Sequence, residues 1–325
     1  VPIDPLLENI LSAITLPSPK ITDAAAFRDM ERQTLSTLAA QLAEPYPEVH
    51  SRELVEIAVE GGTIELLIYK PFSPGPHPAY LYFFGGGFRG GSIHYDYIDG
   101  MCRERCVGAD AVVISVGYRL APEHKFPTAV NDAYAALQWV AEHSSELGTR
   151  PGQLIIGGAS AGGNLAAGVA LRSRDQNGPA IALQILEVPA LDLTWKTNLS
   201  AYRKGYVLEE AEIVEIGKDY LADPDDALNP YASPLLASDL SGLPPVVILA
   251  SEYDLVRGSA DAYARRLSQS GVHVTYLVAE GQIHASALMT AVLEAARTWR
   301  DDVIRAIKSV SEPVAQSSTG HRTSH

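Results

Sequence analysis

The chain reads as an α/β protein, a mostly parallel sheet with helices on both faces. Three observations predict this. From Ala79 onward, short continuous apolar runs alternate with helix-period stretches, as expected of strands buried on both faces. Ahead of them, Leu54–Val59 and Ile64–Tyr69 alternate apolar and polar residues around Gly61-Gly62, the mark of an antiparallel hairpin. Finally, 325 residues with 46% apolar content can bury one large core with insertions.

In order, Pro2–Ile14 and Asp23–Leu42 carry apolar residues at helical spacing, interrupted by Pro17 and Pro19. Residues 1–48 lack a core of their own and are expected to pack over the rest as cap helices. The hairpin follows, then a proline-rich loop from Pro71 to Pro78. Tyr80–Phe84 is a strand ending in Gly85-Gly86-Gly87; a helix around Ile98–Cys106 leads to the strand Ala111–Val116. Pro127–Glu146 is an amphipathic helix with proline at its start and Gly148 past its end. The strand beginning at Leu154 runs into a small-residue turn and a second helix, followed by the strand Ala182–Val188. Strand Pro245–Ala250, helix Ser259–Ser270, strand His273–Val278 and helix Ala285–Ile307 complete the alternation. Residues 192–240 interrupt it as an insertion, with Trp195, Tyr202, Tyr206 and a helix near Glu209–Leu221. The expected organisation is a core of 49–191 and 241–310, a cap from 1–48 and 192–240, and a disordered polar tail at 311–325.

Asp and Glu outnumber Lys and Arg by 39 to 25, and the formal charge of −14 is spread along the chain. That argues against nucleic acid or an anionic membrane as partner. Cys102 and Cys106 have no further Cys or His at metal-site spacing, so buried, reduced thiols and no metal are expected. No signal segment or long apolar run is present, and a cytoplasmic location is the expectation.

Chemistry enters at Gly158-Ala-Ser160-Ala-Gly162, between a strand and a helix. This Gly-x-Ser-x-Gly pattern describes a strained turn that presents a serine hydroxyl at the end of a sheet. A β-carbon at either glycine would collide with the neighbouring strand or helix. A serine needs a base to take its proton and a carboxylate to orient that base, here expected in the order Ser, acid, His at strand ends. Among the nine histidines, His284 lies past the last strand with Gly281 permitting a sharp loop, whereas His273 begins that strand at the wrong end of the sheet. Asp254, after Val246–Ala250, is favoured as the acid; Glu252 and Asp192 compete, and Asp261 reads as a solvated helix residue. Gly85-Gly86-Gly87 fits a loop whose N–H groups face an oxyanion, joined by the N–H of Ala161.

These stretches resemble the hormone-sensitive-lipase-like group of α/β-hydrolases, the type IV bacterial esterases. They are Gly85-Gly-Gly-Phe88, Tyr118-Arg-Leu-Ala-Pro-Glu123, Phe126-Pro127, Asp132–Leu137, Ser160–Ala166, Leu243-Pro-Pro245, Asp254–Arg257 and Ile283-His284, in family order over about residues 60–305. The resemblance implies an eight-stranded α/β-hydrolase sheet with a helical cap, no cofactor and hydrolysis of carboxylic esters. It assigns Ser160 as nucleophile, Asp254 as acid, His284 as base, and Gly85, Gly86 and Ala161 as oxyanion donors. A homodimer through the edge strand His273–Val278 follows only by analogy. Two positions depart from the pattern: Phe84 stands where the family usually has histidine, and Ala159 where it often has an acidic residue. Phe84 is then expected to hold the oxyanion loop by packing rather than by hydrogen bonding.

The expected function is therefore a serine carboxylesterase acting on a small-molecule ester, with short acyl groups on bulky or aromatic alcohols. Phe84, Phe88, Tyr95, Trp195 and Tyr206 are the candidates for an apolar substrate wall. Amide, carbamate or lactone hydrolysis could use the same residues. Receptors that resemble this family have lost the catalytic histidine, whereas His284 is present here.

Overall fold

The computed structural model describes residues 1–13, 23–196 and 208–311. Among them are α1 (Pro5–Ala13), α2 (Ala24–Leu42), β1 (Ser51–Val59), β2 (Gly62–Lys70), β3 (His77–Phe83), α3 (Asp96–Ala109) and β4 (Val112–Gly117). Then come α4 (Thr128–Glu142), α5 (Ser144–Leu147), β5 (Thr149–Ala159), α6 (Ala161–Asp175), β6 (Leu183–Glu187) and α7 (Glu210–Tyr220). β7 (Val246–Tyr253), α8 (Arg257–Gln269), β8 (Val274–Ile283) and α9 (Glu294–Ser309) follow. The expected tail lies, from residue 312 on, outside the described residues. Among the described residues no helix is long and apolar enough to cross a membrane.

The strands form one eight-stranded sheet in the order β1-β2-β4-β3-β5-β6-β7-β8. β2 is antiparallel to both β1 and β4, and β3 to β8 pair in parallel. β3 and β6 are buried at every position, so their apolar residues face both sides of the sheet and the polar members His77, Gln184 and Glu187 are buried with them. α3 packs with α9 and α4 with α6, covering both faces of the sheet. β3, β5, β6 and β7 therefore point their carboxyl ends the same way, toward one rim.

Three expectations are corrected. The last strand does not stop at Val278; after an irregularity between Ser251 and Tyr253, β7 keeps pairing with β8 as far as Tyr253 opposite Ile283. Gly281 thus lies within the strand, at φ 69°, and its N–H donates to Glu252 Oε2 at 2.7 Å rather than opening a loop. The helix expected over Ala285–Ile307 is broken into a short 3-10 turn, Ser286–Leu288, and α9. Its periodic apolar residues are buried all the same, because Met289, Leu293 and Ala296 pack with Leu7 of α1 and with Ile283. The connection is tied to the end of α2 by Ala291 N–H to the Leu42 carbonyl (2.9 Å) and Glu44 N–H to Thr290 Oγ1 (2.9 Å). The helix expected to reach Glu146 ends at Glu142, where the N–H and Nδ1 of His143 both turn to the Trp139 carbonyl.

The Tyr118–Glu123 stretch has a structural reason for its charges. Asp132 of α4 is fully buried and takes three hydrogen bonds from Arg119, from its N–H (3.0 Å), Nε (2.9 Å) and Nη2 (2.7 Å). The guanidinium also donates to the carbonyls of Glu60 and Gly61, so one arginine joins the β1–β2 turn, the loop after β4 and α4. Asp132→Ala strands that cation and removes three bonds. The expected loss is about 3 kcal/mol in urea-unfolding free energy, with an unchanged m-value.

Candidate active site

The turn between β5 and α6 holds Ser160 at φ 56°, ψ −115°, a conformation that costs a non-glycine residue roughly 1–3 kcal/mol. It is held there from both sides. Ser160 N–H donates to the Glu187 carbonyl of β6 at 2.8 Å, and the Ser160 carbonyl accepts from Asn164 N–H at 3.0 Å. A β-carbon at Gly158 or Gly162 would overlap the carbonyl oxygen of Phe83 on β3, so both flanking positions require glycine. Asn164, fully buried one turn into α6, donates from Nδ2 to the carbonyls of Ala190 (2.6 Å) and Ala232 (2.7 Å), fastening the segments beyond β6 to the turn.

The strand ends bring three of the anticipated residues into contact. His284, directly after β8, has Nε2 at 2.9 Å from Ser160 Oγ and Nδ1 at 2.7 Å from Asp254 Oδ2. Asp254, directly after β7, is 2% exposed, and its Oδ1 accepts from Val256 N–H at 3.1 Å. The competing acids are engaged elsewhere. Glu252 holds Gly281, Asp192 accepts from Thr194 N–H at 2.9 Å, and Asp261 accepts from Tyr276. Burial of His284 disfavours the imidazolium, but the charge and hydrogen bond of Asp254, with a smaller contribution from Glu212, outweigh it. Its pKa lies above the ordinary histidine value.

Gly85, Gly86 and Ala161 border the same cavity as Ser160, and among the described residues their N–H groups have no protein acceptor. The Ala161 N–H is also the first of α6, where the helix dipole favours negative charge. The glycine loop is braced by packing and by its backbone. Phe84 is 1% exposed, stacks on Tyr118 at 4.3 Å between ring centroids and lies against Gly91; Tyr118 Oη donates to the Phe84 carbonyl at 2.8 Å. Gly91 N–H donates to Glu31 Oε2 (2.8 Å), and Arg89, 1% exposed, donates to Asp219 of α7 (2.9 Å).

The cavity encloses about 250 Å³, at the small end for a ligand pocket. Of the expected wall residues, Phe88 and Trp195 line it. Phe84 and Tyr95 do not. Phe84 is committed to the Tyr118 stack behind the loop, and the Tyr95 hydroxyl is drawn to the Arg28 carbonyl (2.9 Å) and Glu31 (3.3 Å). Tyr206 lies outside the described residues. Sequence reasoning missed the contributions of α2 (Phe27, Glu31), of α7 (Glu212, Ile216), and of Arg89, Glu187 and Trp299. Arg89, a charge inside a glycine-rich loop, carried the one available signal; helical spacing alone could not say which faces of α2 and α7 meet the cavity.

Asp254 supplies the larger effects that raise the His284 pKa, so removing its charge leaves burial opposed only by the smaller contribution of Glu212. By NMR, the imidazole is expected to titrate above the ordinary histidine value in the native chain and below it in Asp254→Asn.

Comparison with known proteins shows the family. The family model for the alpha/beta hydrolase fold matches residues 80–288. The chain is 37% identical over 289 residues to an arylesterase of Saccharolobus solfataricus, covering 88% of this chain and 92% of that one. It is also 37% identical over 304 residues to esterase LipI of Mycobacterium tuberculosis, covering 90% and 91%. A solved hyperthermophilic esterase from the archaeon Pyrobaculum calidifontis superposes with a TM-score of 0.89 at 36% identity, over 96% of this chain and 99% of that one. With its sheet, its elbow and these relatives, the chain belongs to the hormone-sensitive-lipase-like family of α/β-hydrolases.

Proposed function

We propose that the protein is a serine carboxylesterase. The observation that carries this reading is the unbroken hydrogen-bonded path from Asp254 through His284 to Ser160, beside N–H groups with no acceptor among the described residues. Ser160 Oγ attacks the ester carbonyl as His284 Nε2 takes its proton, and the negative carbonyl oxygen is met by the N–H groups of Gly85, Gly86 and Ala161. Each such donor is worth about 3 kcal/mol at the transition state. His284 then gives its proton to the leaving alcohol, and Asp254 stabilises the imidazolium between the two transfers. Water, deprotonated by the same imidazole, attacks the acyl-enzyme and releases the acid.

The relatives named as esterases support hydrolysis of carboxylic esters. The small volume and the aromatic wall of Phe27, Phe88 and Trp195 support a short acyl group on a bulky or aromatic alcohol. Phe27 and Glu31 of α2 and Ile213 and Ile216 of α7 border the cavity, which supports residues 1–48 and 192–240 as a cap over a core of 49–191 and 241–310. A non-catalytic binding role accounts less well for a serine, a histidine and an acid in contact.

Hydrolysis of p-nitrophenyl esters from acetate to laurate is the test. The highest kcat/KM is expected among the short chains, and Ser160→Ala is expected to lose roughly 10⁴-fold or more in kcat. Equal rates in both proteins overturn the assignment, and faster turnover of amides, carbamates or lactones redirects it. Because Tyr118 Oη holds the Phe84 carbonyl at the root of the oxyanion loop, Tyr118→Phe is expected to lower kcat about tenfold with little change in KM.

A further inference from the structure

One wall of the cavity carries a polar network that neither the triad nor the oxyanion loop uses. Glu187 ends β6 beside the nucleophile, with its carbonyl on Ser160 N–H. Its carboxylate is almost fully buried, at 2% exposure, together with Arg105 of α3 at 5%. Arg105 Nη2 donates to Oε1 (2.8 Å) and Oε2 (3.0 Å), and Trp299 Nε1 of α9 donates to Oε2 (2.8 Å). The guanidinium also lies over the Tyr82 ring, 4.5 Å from its centroid. Tyr82, Glu187 and Trp299 all border the cavity that holds Ser160 and His284.

A carboxylate and a guanidinium buried next to a reacting serine are costly to desolvate, and an apolar wall of the same volume would be as stable. Burial works against the Arg105 charge, but the Glu187 carboxylate outweighs it and raises the arginine's proton affinity, so the guanidinium stays charged. The network is also incomplete. A carboxylate oxygen can accept two hydrogen bonds; Glu187 Oε2 accepts two from the protein and Oε1 only one. Among the described residues, Arg105 Nη1 is buried without a hydrogen-bond partner. One acceptor position on Glu187 and both N–H groups of Arg105 Nη1 are therefore unused among the described residues.

We propose that Glu187, held by Arg105 and Trp299, is a specificity-determining residue that accepts a hydrogen bond from a hydroxyl group on the ester substrate. This rests on the ester-hydrolase reading above and names a substrate class for it, hydroxyl-bearing small esters. A neutral hydroxyl suits the wall better than an ammonium group. The ion pair has no net charge, the spare acceptor needs a donor, and a cation would be repelled by the guanidinium behind the carboxylate. A purely structural role, pinning α3 and α9 to β6, would affect all esters alike.

The test compares matched esters in a pH-stat, so that ratios cancel any general change in activity. Ethyl 3-hydroxybutyrate is set against ethyl butyrate for the acyl side, and 3-hydroxybutyl acetate against butyl acetate for the alcohol side. In the native chain the hydroxyl is expected to raise kcat/KM about tenfold in one of the two pairs, as a hydrogen bond to a charged acceptor allows. In the double variant Glu187→Leu with Arg105→Met, which leaves no buried charge unpaired, that ratio is expected to fall to about one or below. Glu187→Gln, nearly isosteric, is expected to lie between and gives the same readout if the double variant does not fold. No hydroxyl preference in either pair, a preference that survives both variants, or a larger gain from ethyl 3-aminobutyrate overturns the proposal. Failure of the native chain to hydrolyse any of these esters overturns the ester-hydrolase reading, and this proposal with it.

Discussion

The turn at Ser160 is the constraint on which the rest of the molecule depends. A serine at φ 56° is unfavourable by itself, and it persists because neighbours on both sides leave no alternative. The Phe83 carbonyl presses against Gly158 and Gly162, and the Glu187 carbonyl takes the serine N–H. Both carbonyls come from strands that flank β5 in parallel, so the turn needs the central sheet in register. In return it brings three things to one point: the hydroxyl, the first N–H of α6, and the ends of β3, β6, β7 and β8.

The second requirement is that buried charges be answered. Asp254, Glu187 and Asp132 are each almost inaccessible, and each has its own partner: His284, Arg105 and Arg119. The three pairs do different work. Arg119 with Asp132 joins elements far from the cavity. Asp254 shifts the proton affinity of His284 against the effect of burial. Glu187 borders the cavity itself, with Arg105 behind it holding its carboxylate in place.

Around the turn, the glycine-rich loop is held mainly by side chains from outside it. The phenyl ring of Phe84 fills the place behind Gly91 and stacks on Tyr118, while Tyr118 Oη, Glu31 and Arg89 complete the fastening. Two of these ties end on helices α2 and α7, so the helices that border the cavity also steady the loop that would stabilise the oxyanion. A change in either helix should therefore be felt in turnover as well as in substrate choice.

The sheet, the elbow and the chain order of Ser160, Asp254 and His284 are legible in the sequence, because each rests on local rules. Continuous apolar runs mark strands buried on both faces, glycines mark the close approach at Phe83, and strand ends mark where Ser160, Asp254 and His284 must fall. Tertiary structure alone decided what those rules do not reach. β8 continues through Glu280 and Gly281 because β7 offers it partners, although its own residues do not look like a strand. Phe84 and Tyr95 leave the cavity wall because Tyr118 and Glu31 claim them, whereas Phe27, Glu187 and Trp299 enter it from distant elements. Position along the chain favours Asp254 over Glu252, but only the path of the chain at Gly281 gives Glu252 a different partner. Such outcomes depend on which side chains meet across the fold, and a periodicity along the chain carries no information about that.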